Sequence, residues 1–572
     1  MAKKSLPKIT KETISMTVRD DIRLDADIYR PDTKEELPIL LMRQPYGKEI
    51  ASTVVYAHPT WYAARGYIVV IQDVRGRGTS EGEFRLFKTE IADGVDTVDW
   101  LSEFPGSTGE IGMYGFSYQG MTQLYAATGK SSRLKAIAPA MIGYDLYADW
   151  AYENGAFCLQ ANLGWAIQLA AETARLKGDE IAYRQLYLAS RDLPLNDFIP
   201  ANPEVICEFA ADSFYHDWLR QPSDSEYWKK LSPKYLLEDV DLPMLHIGGW
   251  FDPYLRGTLN LYHAMSQKSQ YLQHLIIAPW AHLPWGRKLG AVDYGIEANN
   301  FIDEAQIRWF DRFLKGKDTG ILGEAPISLF EMGSNQWRYL EEFPSQTATY
   351  YLASDGLAAM KEDSGMLWQY QEDEMEEDNS RSTTSENLEN YYTAKTATEF
   401  ANVRDTIVHD PWRPVTALGG HATFPGGSKE RSSLDCRADV LTYTSFPLEV
   451  DLHIAGAVKV QIYCTADKPS FDLCAVLSEV YPDGRVINFT QGYIKADTVN
   501  SFVTIPLQAT CIKLSAGNSL RLSLSGACFP AYPVNSGTNK PLWKSRLIDE
   551  QIITIAIMSG ADYPSLIQFD VM

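Results

Sequence analysis

Cysteine is scarce in this sequence, and long apolar runs are absent. Seven cysteines occur among 572 residues without a C-x-x-C pair, so neither a disulfide framework nor a zinc site is indicated, and we expect no metal. No run of about 18 apolar residues is present, which argues against a membrane-spanning helix. The first residues lack the apolar stretch of about 7–15 residues that is typical of a secretory signal. We therefore expect a cytoplasmic protein.

Positively charged residues are also few compared with negatively charged ones. The 52 lysines and arginines are outnumbered by 74 aspartates and glutamates, which gives a formal net charge of −22. Such a chain repels phosphate backbones and anionic lipid surfaces, so we expect neither nucleic acid nor a membrane as a partner. The 45% of hydrophobic and 22% of charged residues are typical of a folded globular protein. The length suggests about three domains.

Strand and helix patterns alternate in the first part of the chain. Residues 22–28 have period-two hydrophobicity, 37–42 and 67–71 are continuous apolar runs, and 90–104 has helical spacing. Another strand pattern, at 111–114, leads directly into a glycine turn. This alternation predicts an α/β fold with a doubly wound sheet.

The pattern changes twice further along the chain. Residues 1–143 and 241–346 carry the α/β signal, and the segment between them, 144–240, has the irregular helical spacing of an inserted helical cap. From 347 to 572, short alternating runs separated by glycine, proline, asparagine and aspartate predict a β-sandwich. The acidic stretch at 371–378 within it is predicted to be a long mobile loop or a solvated edge.

Ser117 is the first candidate for chemistry. It lies in Gly115-Phe116-Ser117, between the strand pattern at 111–114 and a helix candidate that starts near Gln119. A sharp turn of this kind exposes a serine nucleophile in the G-x-S-x-G motif. The spacing here differs by one residue, because Gly120 comes three positions after Ser117. An ordinary turn serine is the alternative, and the strand-to-helix setting favours the nucleophile.

A serine nucleophile needs an acid and a histidine further along the chain. Asp252 follows the apolar run at 243–247 through a glycine turn, and His282 follows the run at 275–278. Sheets of this class place their sites at the carboxyl ends of strands, so Asp252 and His282 are the predicted acid and base. A helix-capping aspartate is the alternative for Asp252.

Two other residues compete with this pair. His246 lies inside an apolar run and is interpreted as a core histidine whose hydrogen bonds are satisfied. Asp73 precedes Ser117 in the chain, and its neighbours Arg75 and Arg77 suggest a structural ion-paired loop.

Five segments, in this order, closely resemble the cocaine-esterase-like branch of the X-Pro dipeptidyl-peptidase and α-amino-acid ester hydrolase family, which also has glutaryl-7-aminocephalosporanic acid acylase-like members. The resemblance continues into the last part of the chain and so spans nearly all of it. The segments are 43–48, 73–82, 112–120, 249–252 and 279–282, followed by 437–443 and 482–484.

The resemblance implies an α/β-hydrolase core, a helical cap and a C-terminal jelly-roll, and an elbow of the form G-x-S-x-x-G. It implies that Ser117 is the nucleophile, His282 the base and Asp252 the acid that orients it. Tyr46 matches the family's oxyanion-hole tyrosine, whose hydroxyl acts with the backbone N–H of Tyr118. A phenol suits this task because it is a donor that stays neutral near pH 7. No cofactor is implied.

The expected substrate is a small-molecule ester or amide. Trp150, Trp165 and Phe251 are candidate substrate-binding residues, although an aromatic cap core would explain them equally well. Asp149 and Glu153, about one helical turn apart, are candidates for binding a substrate ammonium group, or are ordinary surface acids.

Two other functions remain open at this stage. An X-Pro dipeptidyl-peptidase or an α-amino-acid ester hydrolase is the enzymatic alternative, and an inactive protein that binds through its jelly-roll is the distant one. A homo-oligomer is also left open.

Overall fold

The computed structural model describes residues 7–49, 53–369, 401–498 and 501–572. The first part of the chain alternates strands and helices, as the periodicity predicts. Its strands are β1 (Ile9–Thr17), β2 (Arg23–Pro31), β3 (Leu37–Gln44), β4 (Ile68–Asp73), β5 (Ser107–Phe116) and β6 (Leu134–Ala140). Its helices are α1 (Pro59–Ala63), α2 (Glu90–Ser102) and α3 (Tyr118–Ala127).

A mainly helical insertion follows β6. It opens with a π-helical turn, Tyr147–Ala151, and a short hairpin of β7 (Tyr152–Glu153) and β8 (Ala156–Phe157), which the periodicity did not predict. The helices that follow are α4 (Leu159–Lys177), α5 (Glu180–Arg191), α6 (Glu204–Phe209), α7 (Phe214–Arg220), α8 (Glu226–Lys229) and α9 (Pro233–Leu236). The apolar side of α4 lies against the same hydrophobic cluster as α3, which seats the insertion on the core.

The α/β pattern then resumes. Its strands are β9 (Leu245–Phe251), β10 (His274–Ala281), β11 (Lys288–Leu289), β12 (Val292–Asp293), β13 (Ile327–Glu331) and β14 (Gln336–Leu340), and its helices are α10 (Leu255–Lys268) and α11 (Ile302–Lys315). The main sheet has the order β1-β2-β4-β3-β5-β6-β9-β10-β13-β14, and the stretch from β4 to β13 is parallel. Every residue of β4, β9 and β10 is buried, which is why these strands read as continuous apolar runs.

The last part of the chain is a β-sandwich. Its described strands are β15 (Gln346–Ala353), β16 (Met366–Gln369), β17 (Val403–His409), β18 (Val440–Ser445), β19 (Leu452–Ala466), β20 (Ser470–Val480), β21 (Val486–Asp497), β22 (Phe502–Leu514), β23 (Ser519–Ser525), β24 (Ile553–Ser559) and β25 (Leu566–Val571). The described residues also include a short α-helix, α12 (Ser432–Asp435). β19 has a register shift between Gly456 and Val458.

The sandwich and the α/β core share one continuous apolar cluster. Trp250 and Phe251 of β9 and Leu255 of α10 pack with sandwich residues such as Leu507 and Phe569. The predicted α/β core, helical cap and C-terminal β-sandwich are confirmed. The acidic stretch at 371–378 lies outside the described residues. Within the described ranges, no helix is both long and apolar enough to cross a membrane.

Candidate active site

Ser117 occupies a strained turn between β5 and α3. Its backbone dihedrals are φ 59° and ψ −126°, which a side-chain-bearing residue rarely adopts. The turn is held from both sides, because the Ser117 N–H donates to the carbonyl of Ala140 at 2.9 Å and the Ser117 carbonyl accepts from the N–H of Met121 at 2.9 Å. Strain of this kind persists where the surrounding structure enforces it, and it typifies a nucleophile elbow.

The glycines around Ser117 explain its unusual spacing. A Cβ on Gly115 would lie 2.4 Å from the Cβ of Gln119, so the first glycine makes room for a side chain where the commoner motif has a second glycine. A Cβ on Gly120 would lie 2.8 Å from the carbonyl oxygen of Ala140 and 2.4 Å from Ile142. Here α3 approaches the end of β6 closely at Gly120, one position later than in G-x-S-x-G.

Asp252 and His282 meet at the carboxyl ends of neighbouring strands. Asp252 directly follows β9 and is fully buried, and His282 directly follows β10 with its side chain 15% exposed. Asp252 Oδ1 lies 2.8 Å from His282 Nδ1. Burial raises the pKa of Asp252, and the hydrogen bond from His282 opposes that rise. An ionised carboxylate only accepts, so the contact assigns the proton to Nδ1 and leaves Nε2 to act as a base.

The aromatic rings around His282 set its position. The ring of Phe116, the residue before Ser117, lies 5.4 Å from the imidazole, and the ring of Tyr254 contacts it edge-on at 5.0 Å. Within the described residues no hydrogen bond joins Ser117 to His282, and the ring contact of Phe116 is what links the nucleophile turn to the imidazole. Catalytic hydrogen bonds are often long without substrate and tighten in the complex.

Tyr46 lies in the loop after β3 and contacts the cap. Trp165 of α4 donates from its indole N–H to the Tyr46 hydroxyl at 3.0 Å. Tyr46 as a whole is 36% exposed, but its phenol group is desolvated. Desolvation raises the pKa of Tyr46 to about 12, against the smaller opposing effects of Trp165 and the Arg77 charge. The hydroxyl therefore keeps its proton at neutral pH.

Tyr118 offers a backbone donor next to Ser117. As the first residue of α3, it has an N–H without an acceptor inside the helix. Its own ring is buried, and its hydroxyl donates to Glu90 at 2.8 Å. Glu90 forms a buried ion pair with Arg43 at 2.7 Å. This buried network holds the start of α3 in place.

The three candidate substrate-binding aromatics have different surroundings. Trp165 is half-buried and adjoins Tyr46. Trp150 is buried and stacks on Tyr254 at 4.2 Å, and the Tyr254 ring in turn contacts His282. Phe251 is 1% exposed and packs in the cluster shared with the sandwich, and the structure does not bring its side chain to the site.

The two cap carboxylates do not share a helix face, contrary to the expectation from their spacing. Asp149 lies in the π-helical turn, and Glu153 lies in β7, because the helical turn ends at Ala151. Both are buried and internally bonded. Asp149 accepts from the backbone N–H groups of Tyr144 and Asp145 and from the Asn260 amide.

Glu153 joins three parts of the molecule. Its Oε2 lies 3.0 Å from Arg256 of α10, 2.9 Å from His421 and 2.5 Å from the hydroxyl of Tyr532. These partners belong to the α/β core and to the sandwich. We call the cluster of Glu153, Arg256, His421 and Tyr532 the junction.

The two competing residues are structural. His246 is fully buried and bonds to Gln273 at 3.0 Å. Asp73 lies in a structural ion-paired loop, as expected, and its own partner is Lys48 at 3.1 Å. In the same loop, Arg75 pairs with Asp20 and Asp93, and Arg77 donates to the carbonyl of Leu169.

Comparison with known proteins gives the family. Residues 20–284 match the X-Pro dipeptidyl-peptidase (S15) family, and residues 319–568 match the X-Pro dipeptidyl-peptidase C-terminal non-catalytic domain. The chain is 28% identical to a cocaine esterase from Rhodococcus sp. (strain MB1 Bresler) over 96% of each chain. It belongs to the X-Pro dipeptidyl-peptidase-like serine hydrolases.

This hydrolase also shares its fold with solved structures. An aminopeptidase from a marine sediment archaeon, Thaumarchaeota archaeon, superposes with a TM-score of 0.79 at 21% identity, covering 100% of this chain and 98% of the other. An α-amino acid ester hydrolase superposes with a TM-score of 0.76 at 20% identity with the same coverage. Identities this low establish the fold and leave the substrate open.

Sequence reasoning missed Tyr254 and the junction of this hydrolase. Tyr254 lies two residues after Asp252, so its place in the acid loop was a usable signal. The pairing of Glu153 with His421 had none, because the two residues are 268 positions apart. In the described part of the chain, no group of three or more His, Cys, Asp or Glu side chains is arranged to hold a metal ion.

Proposed function

We propose that Ser117, His282 and Asp252 form the catalytic triad of this hydrolase. The observation that carries the proposal is their placement. Each directly follows a strand of the parallel sheet, β5, β10 and β9 respectively, and the acid and the histidine are 2.8 Å apart. The positive φ of Ser117 supports its part as the nucleophile.

The reaction follows from these roles. Ser117 Oγ forms a bond to the acyl carbon while His282 Nε2 takes the hydroxyl proton. The carbon–oxygen or carbon–nitrogen bond to the leaving group then breaks, and His282 returns the proton to that group. Water attacks the acyl-enzyme by the same route and releases the acid. Asp252 keeps the imidazole in its orientation and stabilises its protonated form.

Tyr46 and Tyr118 are the proposed oxyanion donors. The Tyr46 hydroxyl accepts from Trp165, so its own proton is available for a ligand. The Tyr118 N–H is available because it starts α3. Charge that develops on the substrate oxygen would be stabilised by these two donors without reorganisation of the site.

We infer that the substrates are small esters or amides, with esters favoured. The match to the cocaine esterase extends over nearly the whole of both chains, which supports ester cleavage more than peptide cleavage. Trp165, next to Tyr46, is the aromatic side chain best placed to contact a bound acyl group. We also propose domain limits of 1–143 and 241–346 for the core, 144–240 for the cap and 347–572 for the sandwich.

Labelling with a fluorophosphonate probe tests the nucleophile. We expect one adduct, mapped to the peptide that contains Ser117, and no labelling of Ser117→Ala. The variant should also lose turnover of a p-nitrophenyl ester by about 10⁶-fold. An adduct at another serine, together with a Ser117→Ala enzyme that still turns over, would disprove the assignment.

An X-Pro dipeptidyl-peptidase activity is the second candidate, because the family match to residues 20–284 carries that description. Parallel assays with a simple ester and a Xaa-Pro p-nitroanilide distinguish the two. A higher kcat/KM for the anilide would replace the esterase proposal.

A phenylglycine ester and its N-acetylated form should react at similar rates, because Glu153 already has a cationic partner in Arg256.

A further inference from the structure

One strand of the C-terminal sandwich, β22, runs along the edge of the catalytic core. The N–H of Met332, just after β13, donates to the carbonyl of Cys511 at 2.9 Å, and the N–H of Lys513 donates back to the Met332 carbonyl at 2.8 Å. The strand therefore belongs to the sandwich by its pairing with β19 and to the core by these two bonds. β22 therefore lies close enough to the catalytic core for its side chains to contact residues there.

A bulge in β22 turns one polar side chain toward the core. Leu507 pairs with Val458 and Thr510 pairs with Gly456, so Gln508 and Ala509 together oppose the single residue between those partners. The alternation of buried and exposed residues along β22 breaks at this point, and Leu507 and Gln508 are both buried. Bulges next to active sites commonly re-aim a side chain in this way.

Gln508 reaches the loop that carries the catalytic acid. Its Nε2 donates to the carbonyl of Asp252 at 2.7 Å and to the carbonyl of Trp250 at 3.2 Å. Two carbonyl oxygens require a donor, which assigns Nε2 to this end of the amide. On the other side, Thr490 donates to the Gln508 carbonyl at 2.6 Å and holds the bulge in place.

These bonds bear on catalysis because, among the described residues, the Asp252 carboxylate has one side-chain partner, His282. Within the described residues, the second carboxylate oxygen of Asp252 is buried without a hydrogen-bond partner. The orientation of its side chain therefore depends on the backbone of the loop. Gln508 ties the carbonyls of Trp250, near the end of β9, and Asp252, two residues later, to the sandwich.

We propose that Gln508 is a positioning residue for Asp252, through which the sandwich, described as non-catalytic in this family, holds the acid in contact with His282. The proposal rests on the proposed triad. Gln508 does not touch the substrate, so its loss should lower kcat while KM stays nearly constant. A displacement of about 1 Å in a catalytic group can lower a rate by up to about 100-fold.

A double-mutant cycle tests this role. Gln508→Met keeps the length of the side chain and removes the donor, and we expect it to lower kcat about 10- to 100-fold with KM within about twofold. In an Asp252→Asn background, the same change should lower kcat by less than about twofold, because the acid that it positions is already disabled. Equal losses in both backgrounds, or no loss in the Asp252 enzyme, would overturn the proposal.

Asn488→Leu is the matched control. Asn488 is a fully buried sandwich amide that donates to the Leu418 carbonyl and accepts from the Lys429 N–H, and within the described residues no hydrogen bond joins its side chain to the acid loop. The Asn488→Leu variant should retain kcat even if its midpoint of thermal unfolding falls. If Gln508→Met does not fold, Gln508→Asn gives the same comparison, since it keeps the amide and shortens its reach.

The cycle also separates the two proposals. If Asp252→Asn alone keeps the kcat of the unmodified enzyme, the triad is wrong and the Gln508 proposal falls with it. If Asp252→Asn is impaired while Gln508→Met is not, only the positioning role is wrong.

Discussion

The active site and the junction contain the same three kinds of side chain in two different arrangements. Each has a buried carboxylate, a histidine that contacts it and a tyrosine. The two sets are Asp252, His282 and Tyr46 at the strand ends, and Glu153, His421 and Tyr532 at the junction.

The number of partners separates the two carboxylates. Glu153 has three, Arg256, His421 and Tyr532, and although burial alone would raise its pKa, these partners lower it to about 2. Asp252 has one side-chain partner, and its pKa is raised by burial. The junction carboxylate therefore contacts three side chains through its Oε2, whereas among the described residues His282 is the one side-chain partner of the active-site carboxylate.

The histidines differ in access. His421 is buried at the junction, and His282 is 15% exposed beside the nucleophile elbow. A base must reach both its proton donor and the solvent or substrate, so only His282 meets the requirement for proton transfer. A buried acid–histidine pair is thus not evidence of catalysis by itself. Catalysis also requires an imidazole nitrogen that is free to accept a proton and a side of the ring that is open to the substrate.

The two carboxylates should differ most in their effect on rate. Asp252→Asn preserves shape but disturbs the tautomer of His282, so we expect kcat to fall about 10⁴-fold. Glu153→Gln should change kcat by less than about tenfold, since no step uses it. Steady-state kinetics on an ester measures both. A larger fall in kcat for Glu153→Gln than for Asp252→Asn would indicate that the catalytic carboxylate lies at the junction and not at the proposed active site.

Tyr46 and Tyr532 should differ less in their effect on kcat than the two carboxylates do. Tyr46→Phe removes an oxyanion donor and should lower kcat about 10²- to 10³-fold. Tyr532→Phe removes a hydrogen bond to the Glu153 carboxylate and should cost about 1.5–3 kcal/mol of stability with little change in kcat. Kinetics and urea unfolding of both variants check the expectation. If Tyr46→Phe keeps the full rate, Tyr46 is not an oxyanion donor.

The pH dependence of stability should differ in sign between the carboxylates. The pKa of Glu153 is lowered to about 2 in the folded protein, so its stabilising contribution is present above its ordinary pKa near 4.5 and is lost as the pH falls toward 2. A shift of this size corresponds to about 3 kcal/mol. Urea unfolding between pH 3 and 7 should therefore show a shallower acid loss in Glu153→Gln.

Asp252 is the matched control for that experiment. Burial raises its pKa, so ionisation of Asp252 opposes folding as the pH rises above its ordinary range. Asp252→Asn should therefore gain stability relative to the unmodified protein at neutral pH. Parallel acid-unfolding curves for Glu153→Gln and the unmodified protein would contradict the assignment of the low pKa to the junction.

The sequence by itself determined the fold class and the three triad candidates. Buried parallel strands read as apolar runs, and Ser117, Asp252 and His282 each stand at the end of one, so a local pattern was enough to find them. The placement of Gly120 was also visible, although its cause, the close approach of α3 to Ala140, was not.

Only the tertiary structure decided which side chains meet. Trp165 and Tyr46 are 119 residues apart, and Gln508 and Asp252 are 256 apart. From the sequence alone Glu153 could be an ordinary surface acid, and only the structure shows its contacts with His421 and Arg256. Hydrophobic periodicity reports which face of an element is buried, but not what lies against it, and the partner of a buried polar group is set by the packing of distant elements.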